Sequence, residues 1–217
     1  MPDLGFKVTG LDPATQGMVP LLSFQVEITN TPAGERVHSV MLQAQIQLQV
    51  AQRRYSASEK EKLRELFGPP EQWRDTLRAK LWTIAAANVP AFTGTTTAAL
   101  TVPCTFDLNV AATKYFHGLD DGDVPLLFLF SGSVFYEAAD GRLQVQPISW
   151  KSECAWKMPV SAWHELMDHH YPGIAWLALS RENFERLYAY RRAHHLATWD
   201  RALEQLLPEY ANTEVPV

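Results

Sequence analysis

Between Val40 and Val50 every second residue is aliphatic: Leu42, Ala44, Ile46 and Leu48 alternate with Gln43, Gln45, Gln47 and Gln49. A two-residue period places the two sets on opposite faces of an extended strand, one buried and one wet. Strands of a parallel sheet are covered on both faces and read as continuous apolar runs instead. The segment therefore predicts an antiparallel sheet with one solvated side.

The same alternation recurs at residues 21–30, where Leu22, Phe24, Val26 and Ile28 interleave with Ser23, Gln25, Glu27 and Thr29. The link Thr31-Pro32-Ala33-Gly34 has turn chemistry, which predicts a hairpin spanning residues 21–50. Further strands are predicted at 6–11, 81–89, 95–102, 105–112, 126–136, 143–148 and 153–158. Many short strands divided by Pro/Gly turns point to an immunoglobulin- or C2-like β-sandwich.

Two regions have helical period instead. Ser56 with Glu59, or Ser58 with Glu61, fits a capping box ahead of Leu63, Leu66 and Phe67, and Gly68-Pro69-Pro70 stops that helix. The second region starts near Ser161, breaks at Pro172-Gly173, and resumes over 181–196 and 198–207. The expected architecture is mainly β: an antiparallel β-sandwich over 1–158 with a helical insertion at 57–77 and a C-terminal α-helical cap at 160–207. Apolar residues make up 47% of the chain, enough to fill one α+β core spanning 1–217 as a single domain.

Charge narrows the partners. Nineteen basic against twenty-four acidic side chains give a net charge of −5, with no Lys/Arg-rich run, so a nucleic-acid partner is not expected. The opening Met1-Pro2-Asp3-Leu4-Gly5-Phe6 lacks a secretory leader, and no apolar run is long enough to span a bilayer. A cytoplasmic protein without membrane insertion is expected. In that compartment Cys104 and Cys154, far apart and outside any C-x-x-C pair, read as reduced packing residues.

The most enzyme-like stretch is His164-Glu165-Leu166-Met167-Asp168-His169-His170. On a helix His164 and Asp168 lie four residues apart on one face, as in helices that present two zinc ligands, and His169 could add a third. The zinc pattern is incomplete, and an ordinary polar helix face around Trp163, Leu166 and Met167 explains the same residues. His194-His195, behind Arg191-Arg192, suits a helix C-terminus, where cations meet the partial negative charge. The turn Asp120-Asp121-Gly122-Asp123, close to Lys114, Tyr115 and His117, has the composition of a calcium loop without its spacing or terminal glutamate, and a solvated turn accounts for it. Neither a nucleophile elbow nor a phosphate loop occurs, so no catalytic residue and no cofactor are expected.

Aromatic residues are the remaining resource: seven Trp, seven Tyr and ten Phe. Most belong to the core, but Trp176, Tyr188, Tyr190 and Trp199 in the C-terminal helices are candidates for a protein interface, where aromatics supply the anchors.

Several strings look familiar together: Arg53-Arg54-Tyr55-Ser56, Leu81-Trp82-Thr83, Val89-Pro90-Ala91-Phe92-Thr93-Gly94, Val102-Pro103-Cys104-Thr105-Phe106-Asp107, Asp121-Gly122-Asp123-Val124-Pro125-Leu126 and Phe130-Ser131-Gly132. Over nearly the whole chain, from Leu4 to Leu207, the sequence resembles an uncharacterised family of bacterial proteins often encoded beside the genes of uptake [NiFe] hydrogenases. The resemblance implies an accessory protein for assembly, maturation or scaffolding of such a hydrogenase, with no catalytic residues to carry over. Three readings follow: a non-catalytic interaction module whose partner is a hydrogenase component or a second copy of itself; a metal-binding protein or metal-dependent hydrolase centred on His164 and Asp168; and a sandwich binding a small ligand or carbohydrate.

Overall fold

A computed structural model describes residues 1–15, 17–105, 110–138, 141–175, 177 and 179–207. The chain divides into two compact units, Met1–Gly173 and Ile174–Val217.

Strands in the first unit follow the alternating segments: β1 (Asp3–Ala14), β2 (Leu21–Thr31), β3 (Arg36–Leu48), β4 (Lys80–Val89), β5 (Phe92–Thr93), β6 (Thr95–Pro103), β7 (Asp123–Glu137), β8 (Leu143–Pro147) and β9 (Glu153–Pro159). They pair antiparallel in two sheets. One has the order β1-β2-β6; the other runs β4-β3-β7-β8, with β5 added to β3 and β9 to β7. The mainly β sandwich expected from the sequence is what the chain forms.

Alternation becomes burial as the pleat requires. Leu22, Phe24, Val26 and Ile28 of β2 are fully buried, as are Val40, Ala44 and Ile46 of β3 and Val124 and Phe128 of β7. The two greasy faces meet through aromatic rings. Phe24 sits edge-on to Phe128 (5.2 Å), Trp156 (5.7 Å) and Trp82 (6.2 Å) of the opposite sheet, and Phe6 stacks on Phe130 at 4.5 Å. Burying each such ring contributes roughly 2–3 kcal/mol, with about 0.5–1.5 kcal/mol more from ring geometry.

The expected hairpin over 21–50 does not form. β2 pairs with β1 and β6, whereas β3 pairs with β4, β5 and β7. Residues 31–35 instead carry the chain from one sheet to the other, through a cis Thr31–Pro32 bond. A hairpin would align two greasy faces side by side in one sheet; the crossing lays them against each other. Turn residues suit either path, so local sequence could not choose. Buried Asn30 anchors the crossing, its Nδ2 donating to Glu35 O (2.9 Å) and its backbone N–H to Gly94 O (2.8 Å).

Among the described residues of the first unit, five α-helices lie between or after strands: α1 (Ala57–Lys62), α2 (Arg64–Phe67), α3 (Trp73–Thr76), α4 (Val110–His117) and α5 (Val160–His170). Of the two capping boxes the sequence allowed, Ser56 with Glu59 is the one formed. The strand expected at 105–112 is corrected: residues 110–112 open α4, and 106–109 lie outside the described residues. Ala112, Tyr115, Phe116 and Leu119, all buried, follow the i, i+3, i+4, i+7 spacing of one helix face, and that period overrides the short alternation before it. Phe116 stacks on Trp163 of α5 at 5.5 Å, which joins the two helices.

The second unit contains α6 (Arg181–Ala193) and α7 (Trp199–Leu206). Ser180 Oγ caps α6 by accepting from Asn183 N, and Thr198 Oγ1 caps α7 by accepting from Arg201 N. At the C-terminus of α6, Leu196 N donates to Arg191 O and His195 N to Arg192 O, with His195 at φ 53°. That left-handed closing position is one that glycine normally fills.

Two substitutions test these constraints. Gly132 of β7 has φ 134°, and a Cβ there would lie 1.9 Å from Met41 O of the paired strand; Gly132→Ala is expected to lower stability by roughly 3 kcal/mol or more in chemical denaturation. His195→Gly relieves a side chain held at positive φ and should stabilise α6 by about 1 kcal/mol, read as slower amide exchange over that helix.

Candidate functional site

The polar centre of the first unit forms where β3 ends. Arg53 follows a single 3₁₀ turn, Val50–Gln52, and its side chain is 6% exposed. Its Nη2 donates to Glu59 Oε1 (2.5 Å) and to Asp121 O (2.5 Å), and its Nη1 to Asp123 O (2.6 Å). Glu59, the third helical residue of the capping box and equally buried, accepts from Ser56 N (2.8 Å) and from Asp120 N (3.1 Å). Burial pushes the Glu59 carboxyl upward, but the Ser56 and Asp120 N–H groups and the Arg53 guanidinium outweigh it, so the group sits below its ordinary range. On the rim Lys62 pairs with Asp120 (2.5 Å), holding that carboxyl low as well, and Lys114 pairs with Glu65 (2.6 Å).

The acidic turn at 120–123 is exposed at all four residues, as a solvated turn is, but its backbone is held. The carbonyl oxygens of Asp121 and Asp123 are engaged by the Arg53 guanidinium, which ties the turn to the start of α1. Beside it opens a cavity of about 530 Å³ lined by Arg53, Arg54, Asp123, Pro125 and Lys157 among others. Behind the turn, Tyr55 OH donates to Val50 O (2.8 Å) and lies 3.2 Å from Tyr115 OH. Burial raises both phenols, Tyr115 to about 12, so both stay protonated at neutral pH.

The histidines of α5 are spent on backbone. His164 Nε2 donates to Phe116 O (3.3 Å), His169 Nε2 to Thr15 O (2.9 Å) and His170 Nε2 to Ala14 O (3.3 Å), which fastens α5 to α4 and to the end of β1. Asp168 is exposed. Among the described residues no three His, Cys, Asp or Glu side chains come together as a group that could hold a metal ion. Both cysteines are free. Burial pushes the Cys104 thiol up to about 12, and Cys154 Sγ accepts from Val8 N at 3.4 Å.

In the second unit Phe184, Tyr188 and Trp199 form one aromatic group, with ring centroids 5.6–6.3 Å apart. Arg191 lies 4.1 Å over the Trp199 ring and 5.3 Å over Tyr188, a cation–π arrangement that holds both rings in place. Tyr190 instead meets His194 in a tilted pair at 4.3 Å, and Trp176 lies outside the described residues. Phe184 was missed as an interface candidate, although Phe184, Tyr188 and Arg191 follow helical i, i+4, i+7 spacing. Arg53 and Glu59 were missed as well; their only local signal was the capping box. No helix among the described residues is long and apolar enough to cross a membrane.

Compared with known proteins, residues 1–215 match the model of a "Family of unknown function (DUF6084)". No curated protein matches. Among solved structures, a late embryogenesis abundant (LEA) protein is 14% identical over 73% of this chain and 72% of its own, with a TM-score of 0.30. The ApaA protein from Bordetella pertussis is 12% identical over 72% of this chain and 93% of its own, with a TM-score of 0.26. Likenesses at these scores carry no argument about fold or function.

Removing Arg53 strands Glu59 as a buried charge. Arg53→Ala is expected to cost about 3–5 kcal/mol, and Arg53→Ala with Glu59→Gln less than the two single losses together, in a double-mutant cycle of urea unfolding. Because the folded-state pKa of Glu59 is depressed below its ordinary 4.5, its contribution is complete above that pH and is lost as pH falls through the lower, folded value. Glu59→Gln should accordingly flatten the acid limb of the stability profile.

Proposed function

We propose, from the premise that this chain belongs to DUF6084, a family of unknown function, that it is a non-catalytic module that binds another protein through the aromatic and aliphatic side chains of residues 174–207. The observation that carries this reading is the combination of a self-sufficient core in residues 1–173 with large apolar groups left in solvent beyond it. Leu177 is 72% exposed and Phe184 47%, and Ile174, Leu179, Tyr188, Leu206 and Leu207 are exposed as well. Exposed apolar side chains mark interaction surfaces where they cluster, as Phe184, Tyr188 and Trp199 do, and a Tyr/Trp/Arg cluster is the composition of binding hot spots. The arginine held over Trp199 and Tyr188 pre-orders the rings, which lowers the entropy lost on binding.

The reactive groups are engaged in ways that fit a non-catalytic role. The imidazoles of α5 hold backbone carbonyls, the buried phenols and the Cys104 thiol stay protonated, and the Arg53–Glu59 pair is closed on itself. The resemblance to proteins encoded beside uptake [NiFe] hydrogenase genes supplies the partner: a hydrogenase component, which this chain serves as an accessory in assembly, maturation or scaffolding.

Co-expression of the tagged chain with the large and small subunits of an uptake [NiFe] hydrogenase tests the reading. One subunit is expected to co-purify, and Phe184→Ser with Tyr188→Ser is expected to reduce its recovery roughly ten-fold or more while the unfolding midpoint of residues 1–173 stays unchanged. Recovery of neither subunit above background defeats the proposal.

A further inference from the structure

We infer that the outer face of the larger sheet is a docking surface for a second copy of this chain. The argument starts from charge. Charged residues make up 20% of the sequence, yet the outward positions of β4, β3 and β7 carry none in the four successive rows from Leu81 to Asn88. A solvated sheet face is normally where a chain places such residues. Here the central strand presents Gln43, Gln45 and Gln47, with Leu81 and Ile84 on one side and Leu127 and Leu129 on the other. Leu81, Ile84 and Met41 are each more than half exposed, which is uncommon for aliphatics collected on one sheet face.

What such a face fits is set by its edge. The row Leu81–Gln47–Leu127–Ala155 crosses all four strands. On β9, Glu153 lies beside Leu129, above that row, and Lys157 beside Pro125, below it, with Ala155 midway and all three outward and exposed. A two-fold axis laid across the strands along this row packs Leu127, Gln47 and Leu81 against their own copies. It brings Leu129 onto Pro125 of the second copy and sets Glu153 against Lys157 of the second copy, and the reverse. The axis row and its rim are therefore self-complementary under the symmetry that a homodimer requires: an uncharged row that loses little on desolvation, Leu129 meeting Pro125 on either side of it, and opposite charges that match at the rim and fix register. The residues involved differ from those of 174–207, so self-association and capture of a hydrogenase subunit can fail separately.

Sedimentation velocity of the full chain over the micromolar range tests the inference. The wild type should sediment with twice the 24.5 kDa mass of one chain. Gln47→Lys places two like charges face to face on the axis and should weaken the dimer roughly ten-fold or more, with the far-UV circular dichroism of the folded chain unchanged. Glu153→Lys alone should weaken it less, and Glu153→Lys with Lys157→Glu should restore it, since the swap rebuilds both rim pairs. A wild type that sediments as a single chain at every concentration overturns the inference. So does a dimer that Gln47→Lys leaves intact, or one dissolved only by Phe184→Ser with Tyr188→Ser. Loss of subunit capture with the dimer unchanged strikes the hydrogenase reading alone.

Discussion

Everything in residues 1–173 depends on two greasy sheet faces being laid against each other, and the ring of Phe24 is where that closure is made. It reaches from the three-stranded sheet to Trp82, Phe128 and Trp156 on three different strands of the other, so one side chain fixes the stacking of two sheets that share no backbone hydrogen bond through it. The aliphatic columns of β2, β3 and β7 supply area, while the aromatic contacts supply register. From Phe24 the contacts continue through Trp82 to Phe116 and on to Trp163, which is how the helices α4 and α5 are tied to the same core.

Polar groups close what the core leaves open. Short helices between strands expose N–H groups at their starts, and the turn before β7 points the carbonyl oxygens of Asp121 and Asp123 toward α1. Glu59 accepts the N–H groups of Ser56 and Asp120, and Arg53 meets the carbonyls, because its planar fork can reach one carboxylate and two carbonyl oxygens at once. The histidines of α5 do a similar service for free carbonyls at the end of β1 and in α4. These residue types resemble catalytic or metal-binding groups on paper, and the fold uses them as ties.

The two features proposed to bind partners are both surfaces. The second unit keeps aromatic rings ordered by Arg191 and open to solvent, and the larger sheet keeps a neutral, aliphatic outer face flanked by one acid and one base. Neither feature is needed to hold the core, and each costs solubility unless something covers it. Their difference in chemistry, rigid aromatics in one and a flat amide-and-aliphatic face in the other, is why two distinct occupants are assigned to them.

The alternation of Gln and aliphatic residues at 40–50, and its echo at 21–30, determined the strand class and which side chains are buried, because a two-residue period leaves one choice of face. Helical spacing at Ala112, Tyr115, Phe116 and Leu119 likewise stood in the sequence, although a shorter alternating run before it read as a strand. The turn at 31–34 could not be resolved locally: a hairpin and a crossing between sheets use the same residues, and only the burial of both faces decides for the crossing. The acidic turn, the histidines of α5 and the pair Arg53–Glu59 were undecidable for the same reason. Arg53 meets the acidic turn about seventy residues away and the histidines meet their carbonyls roughly fifty to one hundred and fifty away, and a side chain's role is set by what faces it in space. Composition and period are local properties that the sequence determined alone; the pairing of distant polar groups was decided by tertiary structure, where desolvation forces each buried charge or free carbonyl to find whichever partner the packing brings within reach.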